Sequence, residues 1–344
     1  MQTEQVAFHN VAALEEQDGL PGAFLVRYPA SVRAALSDRG RYLAAEATGS
    51  EIRFVAASPA VRLRVLAIDS DTDIYLFRGD FLHQEKRLPA GVVTTIALEE
   101  PARIPRIPEA MRQASAFSPD VWRVQFNRSR VAFLGIEAGN QLVRPPLPEE
   151  LPRQRYLAYG SSITHASAYH GYVFHAARRL RADVLNMGLS GSCRCEPEVA
   201  DYLASREDWD FATLELGINM RGGFSTEAFA ERAGYLVERI TSAHPQKPVF
   251  LITIYPNWLS YGTDSGESAE AEREQAFNDV LRDLAAEKAG QGRRVFLVEG
   301  TDVLDPTTGL LTDLLHPAPH GHAIMGENLA RQIAAHLNTE AKAE

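Results

Sequence analysis

Residues 155–164 read RYLAYGSSIT. The first half, Arg155–Tyr159, is a short apolar run of strand length. Gly160 permits a tight turn, and the serines that follow suit the start of a helix. A strand that ends in a glycine turn and passes into a helix opens a βαβ unit. Toward the C-terminus the pattern recurs. Helix-like Tyr172–Leu180 is followed by a strand at Val184–Met187, a helix at Glu196–Ser205 and a strand at Phe211–Leu216. Ser225 reads as an N-cap, and Phe229, Ala233, Leu236 and Ile240 fall on one face of the helix it opens. Val249–Ile254, Glu267–Ala289 and Val295–Val298 add strand, helix and strand, and Met325, Leu329, Ile333 and Leu337 mark a last helix. This alternation predicts an α/β domain over residues 155–338, with a five-stranded parallel sheet covered on both faces. Residues 339–344 read as a frayed tail.

Upstream of the quoted stretch, residues 144–152 read RPPLPEELP. Four prolines fix φ and remove donors, so 144–154 is expected to be an extended, semi-rigid linker. Before it the texture is that of short strands broken by turns: Glu51–Ala57, Ala60–Ile68, Ile74–Phe77, Val92–Leu98, Val121–Phe126 and Val131–Ile136. Val61, Leu63 and Val65 alternate with Arg62 and Arg64, as in a half-buried strand. Helical periodicity is weak here. Residues 1–143 are therefore expected to form an all-β sandwich of jelly-roll type.

The bulk properties agree with two domains: 344 residues at roughly 150 per domain. A formal charge of −10 argues against nucleic acid as a partner. No apolar run approaches the ~18 residues of a membrane span, and the N-terminus MQTEQVAFHN lacks a basic region followed by an apolar one. With only Cys193 and Cys195, one residue apart, disulfides do not hold the fold. The expectation is a soluble cytoplasmic protein that binds neither nucleic acid nor membrane and can form a homo-oligomer. The sandwich is expected to shape the mouth of the second domain's site, with glycan binding and an oligomer contact as the alternatives.

In an open α/β sheet, ligands bind beyond the carboxyl ends of the strands. Past the first strand stands Gly160-Ser161-Ser162-Ile163-Thr164, past the second Gly188-Leu189-Ser190-Gly191-Ser192, and past the third Gly217-Ile218-Asn219-Met220. Past the fifth comes Asp313-Leu314-Leu315-His316-Pro317. These loops supply a hydroxyl, an imidazole, a carboxylate, an amide and glycine turns, which is the inventory of acyl transfer. A serine hydroxyl is a weak nucleophile until a neighbouring base takes its proton, and that base works best when a third group orients it. Ser162 is expected to attack, His316 to act as base and then acid, and Asp313 to hold the imidazole. The backbone N–H groups of Ser162 and Gly191 and the amide of Asn219 are the candidate oxyanion donors.

These four blocks resemble those of the SGNH/GDSL hydrolase superfamily: Ser162, Gly191, Asn219 and the Asp313/His316 pair occupy the matching positions over roughly residues 155–338. With the sandwich first, the chain is similar to a subgroup that includes carbohydrate esterases and an acyltransferase. The resemblance implies a flavodoxin-like three-layer domain. Ser161 and Met220 stand where better-known members carry aspartate; neither position has a proposed catalytic role. The expected function is a serine esterase that removes short-chain, acetyl-type O-acyl groups from a sugar or other small polar molecule. The alternatives are an acyltransferase with an alcohol acceptor and a non-catalytic carbohydrate-binding protein.

Other residues invite rival readings. His316, His320 and His322 suggest a metal, but no matching ligand cluster appears elsewhere, so neither metal nor cofactor is expected. Cys193 and Cys195 are expected to pack, and Glu215, in an apolar strand, to be a paired structural carboxylate. Arg194, Tyr255 and Trp258 are candidate substrate contacts, the two aromatics forming a wall at the active edge.

Overall fold

A computed structural model describes residues 3–261 and 268–337. The chain divides into two compact units. One comprises Met1–Ala30, Ala44–Arg153 and Ser167–Tyr169; the other comprises Ser31–Leu43, Gln154–Ala166 and His170–Glu344. The expected tail at 339–344, and Glu267 at the expected start of the long helix, lie outside the described residues.

The first unit is a sandwich of two antiparallel sheets. One sheet runs Ala7–His9, Glu51–Ala56, Trp122–Phe126, Thr72–Arg78, Phe81–Leu88, and Val143–Arg144 pairs with Glu51–Ala56. The other runs Ala13–Gln17, Leu20–Val26, Val131–Glu137, Ala60–Ala67, Val93–Glu99. The alternation read in the sequence is the one that packs: Val61, Leu63 and Val65 are buried with Phe54, Leu76, Trp122, Val124 and Phe133, while Arg62 and Arg64 face out. Side chains of alternate residues leave opposite faces of a strand, so this register buries one whole face. Residues 144–153 belong to this unit. Arg144 grips Glu150 at 2.8 Å across a short turn at Pro148–Glu150, whose carbonyl end accepts the Ser118 N–H at 2.9 Å.

The second unit carries a five-stranded parallel sheet. Its strands are Gln154–Tyr159, Ala182–Asn186, Phe211–Glu215, Val249–Ile252 and Val295–Val298, in spatial order 2-1-3-4-5. That is the doubly wound order in which the topology reverses between the first and third strands, so their carboxyl ends open a crevice. The helix Thr226–Ala243 begins as expected. The Ser225 Oγ accepts from the Ala228 N–H at 3.2 Å, and Phe229, Ala233, Leu236 and Ile240 are all fully buried. The fourth strand stops at Ile252, two residues short of the expected Ile254, because the Ile254 N–H leaves the ladder for the Asn278 side chain.

One feature of the N-terminal half departs from the all-β expectation. Three short helices, Ala30–Ala35, Asp38–Ala45 and Glu109–Ala114, interrupt it, and Ser31–Leu43 packs into the second unit. Among the described residues no helix is long and apolar enough to cross a membrane.

Candidate active site

The turn after the first strand is shaped by crowding. A Cβ at Gly160 would lie 2.6 Å from the Glu215 Oε2 and closer still to the Thr164 hydroxyl, so only glycine fits. Ser161 caps the short helix Ser162–His165: its Oγ accepts from the Ile163 N–H at 3.1 Å. Its own N–H donates to the Glu215 Oε2 at 2.7 Å. Ser162 is thereby presented at the edge of the sheet, and its Oγ lies 2.8 Å from the His316 Nε2. The His316 Nδ1 lies 2.8 Å from the Asp313 Oδ2. Asp313 is tied down by its other oxygen, which accepts the N–H groups of Leu315 at 3.0 Å and His316 at 2.9 Å. Partial burial raises the Asp313 pKa, but the His316 N–H, the His316 ring and the Leu315 N–H outweigh it. The net shift is below the usual carboxylate value. An acceptor-only Asp313 calls for a proton on Nδ1, which leaves Nε2 free to receive the Ser162 proton.

Two backbone ties hold the glycine loop against its neighbours. The Leu189 N–H donates to the Gly160 carbonyl at 2.9 Å, and the Cys193 N–H donates to the Asn219 Oδ1 at 3.1 Å. The second tie fixes the Asn219 amide with its NH2 turned away from the bond. Gly191 adopts φ +67°, a conformation suited to glycine. The N–H groups of Ser162 and Gly191 and the Asn219 Nδ2 make no hydrogen bond among the described residues. A polarised hydroxyl with unspent N–H donors on the adjoining loops is equipped for addition to a carbonyl.

Glu215 sits beneath this turn, fully buried at the end of the third strand. Burial pushes its pKa up to about 7, against the pull of the Ser161 and Thr164 donors. A carboxyl raised from 4.5 in this way favours folding below pH 4.5, and that contribution is lost as pH rises through 7. Glu215→Gln keeps an acceptor for Ser161 and Thr164 without the charge. Between pH 5 and pH 8 the parent should lose up to about 3 kcal/mol of stability that the variant retains. Chemical denaturation at both pH values checks this, and parallel curves for the two proteins would contradict it.

The remaining candidates separate. Trp258 is half-buried, and its backbone N–H donates to the Leu314 carbonyl at 2.9 Å, binding the loop after the fourth strand to the Asp313–His316 loop. Leu314 holds φ +54° there and is 52 % exposed. Tyr255 corrects the expectation of an aromatic wall. At 2 % exposure it packs edge-on against Tyr172, so it belongs to the core and not to the mouth. Arg194 is half-buried, and its carbonyl accepts from Arg232. Cys193 and Cys195 are free and buried, and burial pushes both thiols up, so they pack as neutral groups. His322 lies in the first turn of the last helix, Pro319–Leu337, and burial lowers its pKa to about 4. Among the described residues no three His, Cys, Asp or Glu side chains are grouped to hold a metal ion.

One neighbour of the site escaped the sequence reading. Arg39, on the helix Asp38–Ala45, donates from Nε to the Ser190 carbonyl at 3.1 Å. The signal was partial: Val32, Leu36 and Leu43 are buried and spaced in sequence as on one helical face, but the chain breaks at Leu36 into two short helices.

Comparison with known proteins gives the following. Residues 158–324 match the model of the GDSL-like lipase/acylhydrolase family. Among curated proteins no sequence match is found. A salicylyl-acyltransferase from a tetracycline biosynthetic pathway has a similar structure (TM-score 0.77, 16 % identity, 96 % of this chain and 95 % of that one). So does a family two carbohydrate esterase from Clostridium thermocellum, solved with cellohexaose (TM-score 0.60, 16 % identity, 85 % and 93 %). An acetyl xylan esterase from the rumen bacterium Butyrivibrio proteoclasticus gives a TM-score of 0.59 at 11 % identity, over 98 % and 97 %. At such identities the likeness is one of fold, and it extends over both units.

Proposed function

We propose that this chain, whose residues 158–324 match the GDSL-like lipase/acylhydrolase family model, is an SGNH-type hydrolase in which Ser162 carries the acyl group of the substrate as a covalent intermediate. The observation that carries this reading is the unbroken line from the Ser162 Oγ through the His316 ring to Asp313, with 2.8 Å at each step. His316 takes the hydroxyl proton as Ser162 attacks the ester carbonyl, then returns it to the departing alkoxide. Asp313 fixes the ring and offsets the charge it acquires. Negative charge collects on the former carbonyl oxygen, and the Ser162 N–H, the Gly191 N–H and the Asn219 Nδ2 receive it. One such donor is typically worth ~10²–10³ in turnover. Water, activated by the same imidazole, then releases the acid and restores Ser162.

The substrate is a short-chain O-acyl ester of a small polar molecule, with an acetylated sugar as the leading case. Support comes from the esterases of similar fold, which are named for a carbohydrate esterase family and for acetyl xylan. The salicylyl-acyltransferase marks the other outcome of the same intermediate, release to an alcohol. A panel of acetyl to decanoyl p-nitrophenyl esters with acetylated xylose and glucose, run with and without added alcohol, tests the reading. Acetyl esters should exceed decanoyl esters in kcat/KM by about tenfold or more, with free acid as the main product. Ester product appearing only with alcohol would turn the assignment to transfer, and no consumption of any ester would overturn it.

A further inference from the structure

The segment Ser31–Leu43 docks on the Gly191 turn within the second unit. A Cβ at Gly40 would lie 3.5 Å from the Ser192 Cβ, and a Cβ at Gly191 would lie 3.0 Å from the Arg39 Nε and 3.5 Å from its guanidinium carbon. The guanidinium therefore rests against the backbone of a residue whose N–H is assigned to the oxyanion. Its Nε is spent on the Ser190 carbonyl at 3.1 Å. The side chain is exposed, and its two terminal nitrogens have neither a hydrogen bond nor an ion pair among the described residues.

A guanidinium anchored at Nε offers its remaining edge, Nη1 and Nη2, as a planar fork that matches the two oxygens of a carboxylate. Anchoring also removes part of the rotamer freedom that binding would otherwise cost. The net charge of −10 gives the protein no general attraction for anions, so selection of one must come from a fixed local cation. We propose that Arg39 is a specificity-determining residue that receives a carboxylate carried by the ester substrate close to the scissile bond. This rests on the assignment of Ser162 as the acyl acceptor, and it narrows the substrate to an O-acylated small carboxylic acid, such as an acylated hydroxy acid or sugar acid. A neutral sugar ester would leave the fork facing water.

Binding tests this apart from turnover. In Ser162→Ala protein, where bound ester persists, calorimetry gives the dissociation constants of para-acetoxybenzoate and of its neutral methyl ester. The same measurements are made with Arg39→Gln or Arg39→Lys added. Gln keeps a donor for the Ser190 carbonyl and loses the charge; Lys keeps the charge and loses the fork. The background protein should prefer the anion by about tenfold or more. Arg39→Gln should abolish that preference, and Arg39→Lys should keep part of it. An equal preference in all three proteins, or none in the background protein (binding of neither ester included), would overturn the assignment. A wrong reading of Ser162 shows separately, as failure of the intact protein to turn over either ester.

Discussion

Replacing Ser162 by alanine should lower kcat by about 10⁶-fold and shift the thermal midpoint by no more than about 3 °C. The chemical effect is large because the hydroxyl is the atom that bonds to the acyl carbon, and no neighbouring group can take its place. The thermal effect is small because the Ser162 Oγ has one side-chain partner, the His316 Nε2. The turn is held by other bonds: the Ser161 Oγ to the Ile163 N–H, and the Ser161 N–H to Glu215. Residual activity in the variant should come from bound esters polarised by the remaining donors. Measured kcat within tenfold of the parent would place the chemistry elsewhere.

The second large effect belongs to the imidazole and its partner. His316→Ala should cost about 10⁵–10⁶ in kcat, since the proton of Ser162 then has no acceptor. Asp313→Asn should cost less, about 10⁴. The asparagine oxygen can still accept the Leu315 and His316 N–H groups, which keeps the loop in place. Its NH2, however, would face the His316 Nδ1 where Asp313 now accepts at 2.8 Å. Two donors cannot share that line, so the ring adopts the other tautomer and presents a protonated Nε2 to Ser162. Because Asp313 is held below the ordinary carboxylate value, it stays ionised at neutral pH and the parent avoids this state. Steady-state kinetics on an acetyl ester, with a folding check by circular dichroism, gives the ranking; equal losses in the two variants would contradict the tautomer argument.

Much of this site could be read from the chain because its parts are local. Asp313 and His316 are three residues apart on one loop, so their pairing needs no long-range knowledge. Ser162, Gly191 and Asn219 each follow a short apolar strand, and parallel topology then brings their loops to one edge of the sheet. The helix face at Phe229, Ala233, Leu236 and Ile240 was legible for the same reason: burial on one side leaves a period in the sequence.

What was not legible depends on packing between distant segments. Tyr255 follows the fourth strand like a pocket residue, but whether such a ring turns outward or into Tyr172 is settled by the helix beneath it. Phe81–Leu88 is exposed along most of its length, Leu82 and Gln84 as well as Glu85 and Arg87, so an edge strand there shows no alternation. Leu20–Val26 contains Pro21 and Gly22, which in sequence read as turn residues. The helix that delivers Arg39 is only eight residues long, and its tie to Ser190 spans 151 positions of chain.

Passage of the acyl group through the Ser162 oxygen can be followed by rapid-quench mass spectrometry during turnover of a slowly released acyl ester. One added acyl group should appear on the peptide that contains Ser162, before product, and decay as substrate is exhausted. Steady turnover with that peptide unmodified, or with the acyl group on another residue, would contradict it.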